Sequence, residues 1–261
     1  MDKKAPVCLD SFIHLAFCLE GRDKLTKVAT KMVQYGSRAL AFYLLSADPK
    51  SDVGQRLHAL YKVMQQARKA FRLGKSLTYY KKLQTLSTNK RLSEWQRYLH
   101  FIQNVGMLGY FLSDNVAFAS KIKVCPFHAE AWTRRGGVLW FIANVAGFWN
   151  ALENLKADVE KEKCVRDILA TEDDDAHVHE LRNQLDALRN SRFQKLLALL
   201  KVTCDLVVSS NTSGVRLSER ITGTKLHDGI IGSVGCVSAA IVLFNTWPTV
   251  PKTTAPSSDK S

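Results

Sequence analysis

Apolar residues recur along this chain at three- and four-residue steps, with little punctuation by Gly or Pro; three of the six prolines fall within the last fourteen residues. That spacing predicts an almost wholly helical chain. A first helix is expected from about Cys8 to Glu20 and a second from about Asp23 to Leu45, separated by Gly21 and closed by the turn Ser46–Asp52. A third is expected from about Val53 to Leu86. Its first half carries a stripe of Leu57, Leu60, Tyr61, Met64, Ala67 and Phe71, with Lys62, Lys69 and Arg72 opposite, which is the pattern of an amphipathic helix. Beyond Gly74 the stripe drifts, because Lys75 and Lys82 encroach on the apolar side.

Three later segments are apolar and nearly uncharged. Tyr98–Ser120 contains Asp114 as its only formal charge, but His100, Gln103, Asn104 and Asn115 weaken it as a membrane span. Gly136–Leu152 is uncharged, and at 1.5 Å per residue its roughly 25 Å falls short of a hydrocarbon core of about 30 Å. Gly229–Trp247 has no charge, ends in a Trp suited to a membrane interface, and is the best transmembrane candidate. Within it Gly232, Cys236 and Ala240 repeat every four residues, and Gly235 with Ala239 forms a second such pair. Small residues at this spacing let helices approach closely in lipid. Arg192–Val208 is a further apolar helix interrupted by Lys195, Lys201 and Asp205, suited to a core or to an interface.

Charge changes this picture in one place. The net charge is +13, and Met1–Arg135 holds 23 Lys and Arg against 9 Asp and Glu. Such an excess asks for an acidic partner, either a nucleic-acid backbone or an anionic lipid surface. Between Gln65 and Leu83 lie Arg68, Lys69, Arg72, Lys75, Lys81 and Lys82 with no acid, interleaved with Phe71, Leu73, Leu77, Tyr79 and Tyr80. A nucleic-acid helix would explain the charge but not the apolar segments downstream, and a solvated face would not usually exclude acids over such a length. A helix lying on a membrane explains both, with cations at the head groups and Leu, Met and Phe in the acyl boundary. Glu153–Asp186 reverses the balance around Glu172–Asp175 and reads as a solvated or mobile connection.

Little chemistry is expected. The cysteines Cys8, Cys18, Cys125, Cys164, Cys204 and Cys236 are scattered without a C-x-x-C pair, which suits a reduced, cytosol-facing protein. The apolar run Phe12–Leu19 lacks a cleavage site and is not read as a secretory signal, so the sequon at Asn211 is a chance match. His177 and His179 beside Asp173–Asp175, and Cys125 with His128, do not complete a metal site. Asp114 would cost about 3 kcal/mol at a bilayer centre, and is read as capping or bridging helices near the head groups. No phosphate-binding loop or nucleophile elbow occurs, so no enzyme, cofactor or metal is expected.

Four stretches, in order, resemble the peroxin-eleven family of peroxisomal membrane proteins. "GRDKLTKVATKMVQYGSRAL" is similar to the family's opening, and "RKAFRLGKSL" to its basic signature, which falls on Arg68, Arg72, Gly74 and Lys75. "GMLGYFLSDNVAFAS" is similar to its apolar segment ending in Asp-Asn, and "HDGIIGSVGCVSAAIVLFNTW" to its terminal membrane helix. Glu153–Glu180 departs from any such motif. The resemblance implies a protein of the peroxisomal membrane, or of a related organelle such as a glycosome, with cytosolic termini. It further implies insertion of amphipathic helices into one leaflet, membrane elongation, self-association, and recruitment of the fission machinery.

The expected architecture is therefore all-α: an integral membrane protein with amphipathic N-terminal helices and a C-terminal transmembrane helix. Residues 1–90 form a basic amphipathic region, 91–152 apolar membrane-associated helices, 153–190 an acidic connection, 191–247 the C-terminal helices with the span 229–247, and 248–261 a disordered tail. Lys62, Arg68, Lys69, Arg72 and Lys75 are expected at the membrane surface, Leu57, Leu60, Tyr61, Met64 and Phe71 in the leaflet, and Gly232, Gly235, Cys236, Ala239 and Ala240 at helix contacts. The partners expected are anionic lipids, further copies of the chain and the fission machinery, but not nucleic acid. The expected role is membrane remodelling in organelle division. A pore or solute carrier, and more remotely a soluble nucleic-acid-binding bundle, are the alternatives.

Overall fold

The computed structural model describes residues 19–88, 92–171 and 174–247. Most of the helix expected at Cys8–Glu20, and the tail 248–261, lie outside these residues. Every regular element described is a helix: α1 (Leu19–Ala47), α2 (Asp52–Ala70), α3 (Lys75–Thr88), α4 (Glu94–Lys121), α5 (Ala129–Leu169), α6 (Asp175–Thr212), α7 (Leu217–Thr222) and α8 (Asp228–Thr246).

Several helix starts are written locally. Ser51 accepts from the Gly54 amide at the head of α2, and Ser93 with Gln96 forms a reciprocal capping box at the head of α4. Each satisfies amides that the first turn leaves without intrahelical partners. The single helix expected over Val53–Leu86 is two helices. It breaks at Phe71–Gly74, where Gly74 has φ 72°, a left-handed conformation that residues with a Cβ adopt only at a cost. The drift of the stripe beyond Gly74 marks this break.

The acidic stretch also differs from expectation. Residues 153–169 continue α5 and 175–190 open α6, so the connection shrinks to the few residues around 170–174. Its charges are not all solvated: Asp158 and Glu162 are buried against cations of α6. Pairing of this kind between distant residues turns an acidic run into a helical hairpin.

Successive long helices run antiparallel. Along α4 and α5, His100 meets Asn150 while Tyr110 stacks on Trp140. Between α5 and α6, Glu162 meets Arg192 while Asn144 meets Ser209. Between α6 and α8, Phe193 meets Phe244 while Asp205 meets Ser238. Between α1 and α8, Arg38 meets Asp228 while Lys31 meets Ser238. α2 and α3 form the returning leg after α1. The start of α1, the α5–α6 turn and the end of α8 therefore share one end of the bundle. The α1–α2 turn, the α4–α5 loop and α7 share the other.

The interior mixes apolar side chains, Val208, Ile231 and Ala239 among them, with many polar ones. Among the most buried side chains are Ser209 and Ser238, both at 0% exposure, with Asp114, Asn144, Asn150 and Asp205 close behind. The outside carries apolar stripes at helical spacing: Tyr98, Phe101, Val105 and Leu112 on α4; Val138, Ile142 and Trp149 on α5; Phe193, Leu196 and Leu200 on α6; and Ile230, Val237 and Phe244 on α8. A small apolar core of Tyr35, Val208 and Ile231, flanked by Trp140 and Val234, joins α1, α5, α6 and α8.

Candidate functional site

Two buried carboxylates organise the interior. Asp114 on α4 receives Lys69 at 3.4 Å and Arg72 at 3.3 Å. Arg72 also donates to the Tyr110 hydroxyl at 2.6 Å, and Lys69 to Thr133 at 3.2 Å. Asp205 on α6 receives Lys31 at 3.1 Å, Lys201 at 2.9 Å and the Ser238 hydroxyl at 2.7 Å. Buried charges persist only when paired and hydrogen-bonded in this way. The two hubs tie α1, α2, α4, α6 and α8 together through polar atoms.

The basic signature accordingly faces inward in this fold. Arg68 donates to Gln34 Oε1 and lies 5.6 Å from the Tyr35 ring, while Lys75 lies 4.8 Å over the Phe111 ring. Of the five cations expected at an outer face, only Lys62 is exposed; Arg68, Lys69, Arg72 and Lys75 are drawn toward carboxylate, hydroxyl and aromatic partners. The apolar set divides. Leu57, Tyr61 and Met64 are half-buried, with Arg38 over the Tyr61 ring at 5.3 Å, whereas Leu60 and Phe71 are exposed. Leu73, Leu77 and Tyr80 extend that exposed row along α3.

The small residues of α8 make a close seam with α1. A Cβ on Gly232 would lie 2.6 Å from the Ala39 nitrogen and 2.7 Å from the Tyr35 carbonyl oxygen, and one on Gly235 would lie 2.3 Å from the Tyr35 ring. Only glycine admits so near a backbone. Cys236 and Ala239 lie within the contact, Cys236 near Met32 and Gly36. Ala240 differs from the rest: it is exposed and lies outside the seam.

An open groove of about 1160 Å3 lies between α3, α4, α5 and α6, with Lys81, Lys82, His100, Gln103, Asn144, Asn150 and Lys201 in its lining. Two smaller cavities, about 200 and 80 Å3, share Tyr35, Arg68, Arg72, Tyr110 and Trp140 with each other. The larger of these two shares Met107, Trp140 and Asp205 with the groove. The cavities thus share walls in the region between the two carboxylate hubs. Among the described residues no group of three His, Cys, Asp or Glu side chains converges as for a metal.

Several of these residues were not singled out from sequence. Lys31, Asn144, Ser209 and Ser238 gave no signal in a linear reading, and Asp205 gave only that of a lone acid within an apolar helix. The hairpin beyond Leu152 has its own lock. Asp158 accepts from Lys195 at 2.5 Å and Ser191 at 2.6 Å, and Glu162 is met by Arg166, by Arg192 at 2.6 Å and by Arg189 at 4.0 Å.

The class is thus an all-helical antiparallel bundle with a partly polar interior, in which one helix among the described residues, α8, is long and apolar enough to cross a membrane. The model of the Peroxisomal biogenesis factor 11 (PEX11) family matches residues 9–247, and the chain belongs to that family. The Peroxisomal membrane protein 11 homolog of Dictyostelium discoideum is similar to it, 24% identical over 249 residues, which cover 92% of this chain and 94% of that one. No solved structure matches it.

Proposed function

We propose that this chain is an integral protein of the peroxisomal membrane that elongates the membrane and promotes division of the organelle. The observation that carries the membrane assignment is the combination of a partly polar interior with apolar stripes on the outside. Serine and carboxylate sit inside, while Phe, Trp, Leu and Ile form stripes outside α4, α5, α6 and α8. In water that arrangement exposes apolar surface without gain, whereas in a bilayer it presents lipid with apolar side chains and satisfies polar groups internally. The antiparallel arrangement leaves the start of α1, the α5–α6 hairpin and the end of α8 on one side. We assign that side to the cytosol.

The remodelling element is α2–α3. Its exposed row of Leu60, Phe71, Leu73, Leu77 and Tyr80 supplies a wedge, with Lys62 and Lys81 positioned for anionic head groups. Full insertion into one leaflet frees the segment from the Asp114 hub and turns Arg68, Lys69, Arg72 and Lys75 toward phosphates. Expansion of one leaflet converts binding energy into curvature, and self-association and recruitment of fission machinery act on the tubule that results. The test uses full chain in anionic liposomes viewed by electron microscopy. Wild type forms tubules, and Leu73→Glu with Leu77→Glu does not; equal tubulation by both sinks the wedge.

The neighbouring cavities, with the Asp114 and Asp205 hubs in their walls, favour a second reading, a pathway for solutes across the same membrane. Flux of small anions through reconstituted bilayers, abolished by a bulky replacement at Asn144, would support it over the wedge.

A further inference from the structure

We propose that the groove between α3, α4, α5 and α6 binds the head group of an individual anionic phospholipid, a phosphate ester of a hydroxylated alcohol. This rests on the reading above that these helices lie in a membrane. The volume of about 1160 Å3 exceeds the roughly 300–1,000 Å3 of common small-ligand pockets, and so accommodates a phosphorylated ring with part of its glycerol.

Charge selects an anion. Lys81, Lys82, Lys195 and Lys201 line the groove against the single carboxylate of Asp205. Lys195 is engaged by Asp158 and Lys201 by Asp205. Lys82 lies over the Tyr79 ring at 4.8 Å, and Lys81 pairs with no acid among the described residues. These last two ammonium groups are available to a phosphate, which accepts charge-assisted hydrogen bonds.

Amide chemistry selects hydroxyl groups beside the phosphate. Asn150 is 4% exposed; its amide nitrogen meets His100 Nδ1 at 2.9 Å, while its Oδ1 has no partner. Turning the amide over exchanges the two atoms and leaves the nitrogen unpaired instead. A buried polar atom without a partner is unfavourable, and a ligand hydroxyl satisfies it in either orientation. Gln103, Asn104 and Asn144 offer further donors and acceptors in the same lining. Met107 and Val202 share the groove, and the outer faces of α4 and α5 are apolar, so acyl chains of a seated lipid continue along them.

The test reconstitutes the full chain with phosphatidylcholine and a minor fraction of phosphatidylinositol, extracts it in mild detergent, and reads retained lipid by native mass spectrometry. Wild type is expected to retain phosphatidylinositol over phosphatidylcholine by at least about ten-fold relative to their abundance, a preference of about 1.4 kcal/mol. The exposed pair Lys81→Gln, Lys82→Gln is expected to lose that preference with unchanged thermal melting, and Asn150→Leu to weaken it. Equal retention of the two lipids, or the same preference in wild type and the lysine variant, overturns the proposal. Displacement by inorganic phosphate or free inositol phosphate at matched concentration overturns the lipid assignment in favour of a soluble anion. Alkaline-carbonate extraction of the same preparation tests the membrane reading separately: a chain that resists extraction yet retains no phosphatidylinositol sinks only the head-group site.

Discussion

Arg72 and Asp114, 42 residues apart in the chain, meet at 3.3 Å inside the bundle. The two belong to the two motifs that sequence suggested separately, a basic signature and an apolar segment with a lone acid. Each is the other's counter-ion. The segment proposed to insert into lipid is therefore held in the bundle by the acid that a bilayer would least tolerate alone.

Asp114→Asn should release that hold. Lys69 and Arg72 then face a buried site without a counter-charge, which costs about 3–5 kcal/mol when one partner of a buried pair is removed. Hydrogen exchange over residues 65–83 should rise sharply, and tubulation of anionic liposomes should increase. Replacing all three members, Lys69→Leu and Arg72→Leu with Asp114→Leu, should restore protection. A loss of tubulation in Asp114→Asn would mean that the docked segment is the active one.

Gly232→Val should part α8 from α1. A Cβ there meets the Ala39 nitrogen at 2.6 Å, and main chain cannot swing aside as a side-chain tip does. Overpacking of this kind costs about 1–3 kcal/mol or more. Ala240→Val, on the exposed side of the same helix, should leave thermal melting in detergent within experimental error of wild type.

Protons should open the α5–α6 hairpin only in strong acid. Burial alone would raise the Asp158 carboxyl, but hydrogen bonds from Lys195 and Ser191 and the nearby Lys195 charge hold it below its ordinary value. A depressed carboxylate pKa contributes stability that is complete above the unfolded value of about 3.9 and is lost as pH falls through the lower folded value. Circular dichroism should show the hairpin intact at pH 5 and loosening below about 4. Asp158→Asn should remove this step and weaken the hairpin already at neutral pH.

Cysteine labelling should report the sidedness. Cys164 is exposed on the α5–α6 hairpin, and Cys125 lies in the loop at the opposite end of the bundle. In single-cysteine variants, an impermeant maleimide added to sealed organelles should modify Cys164 at once. Cys125 should react only after permeabilisation. The reverse result would invert the assigned topology.

Helicity was legible in sequence because it is written in neighbours three and four apart. The break after Ala70 was half legible: the stripe drifted at Gly74, but drift alone does not distinguish the end of a wedge from the end of a helix. The hairpin was misread because the cations that dock Asp158 and Glu162 against α6, Lys195 and Arg192, lie more than twenty residues away, beyond any local window. The same limit hid most of the Asp205 hub, which beyond its neighbour Lys201 draws partners from α1 and α8. Mean hydropathy singles out α8 for a related reason. The inward faces of α4, α5 and α6 carry Asn, Ser and Asp, and these dilute stripes that are apolar only on the outside.

The length of α5 carries a mechanical consequence. Its 41 residues extend about 60 Å, twice the roughly 30 Å of a hydrocarbon core, and the surplus beyond Leu152 stands off one face braced against α6. In the proposed membrane arrangement each molecule is thus broader on that side than within the bilayer, with a stiff mast that its neighbours must avoid. Crowded together, such masts push apart on one surface only, and a sheet loaded unevenly in this way relaxes by bowing toward the loaded face.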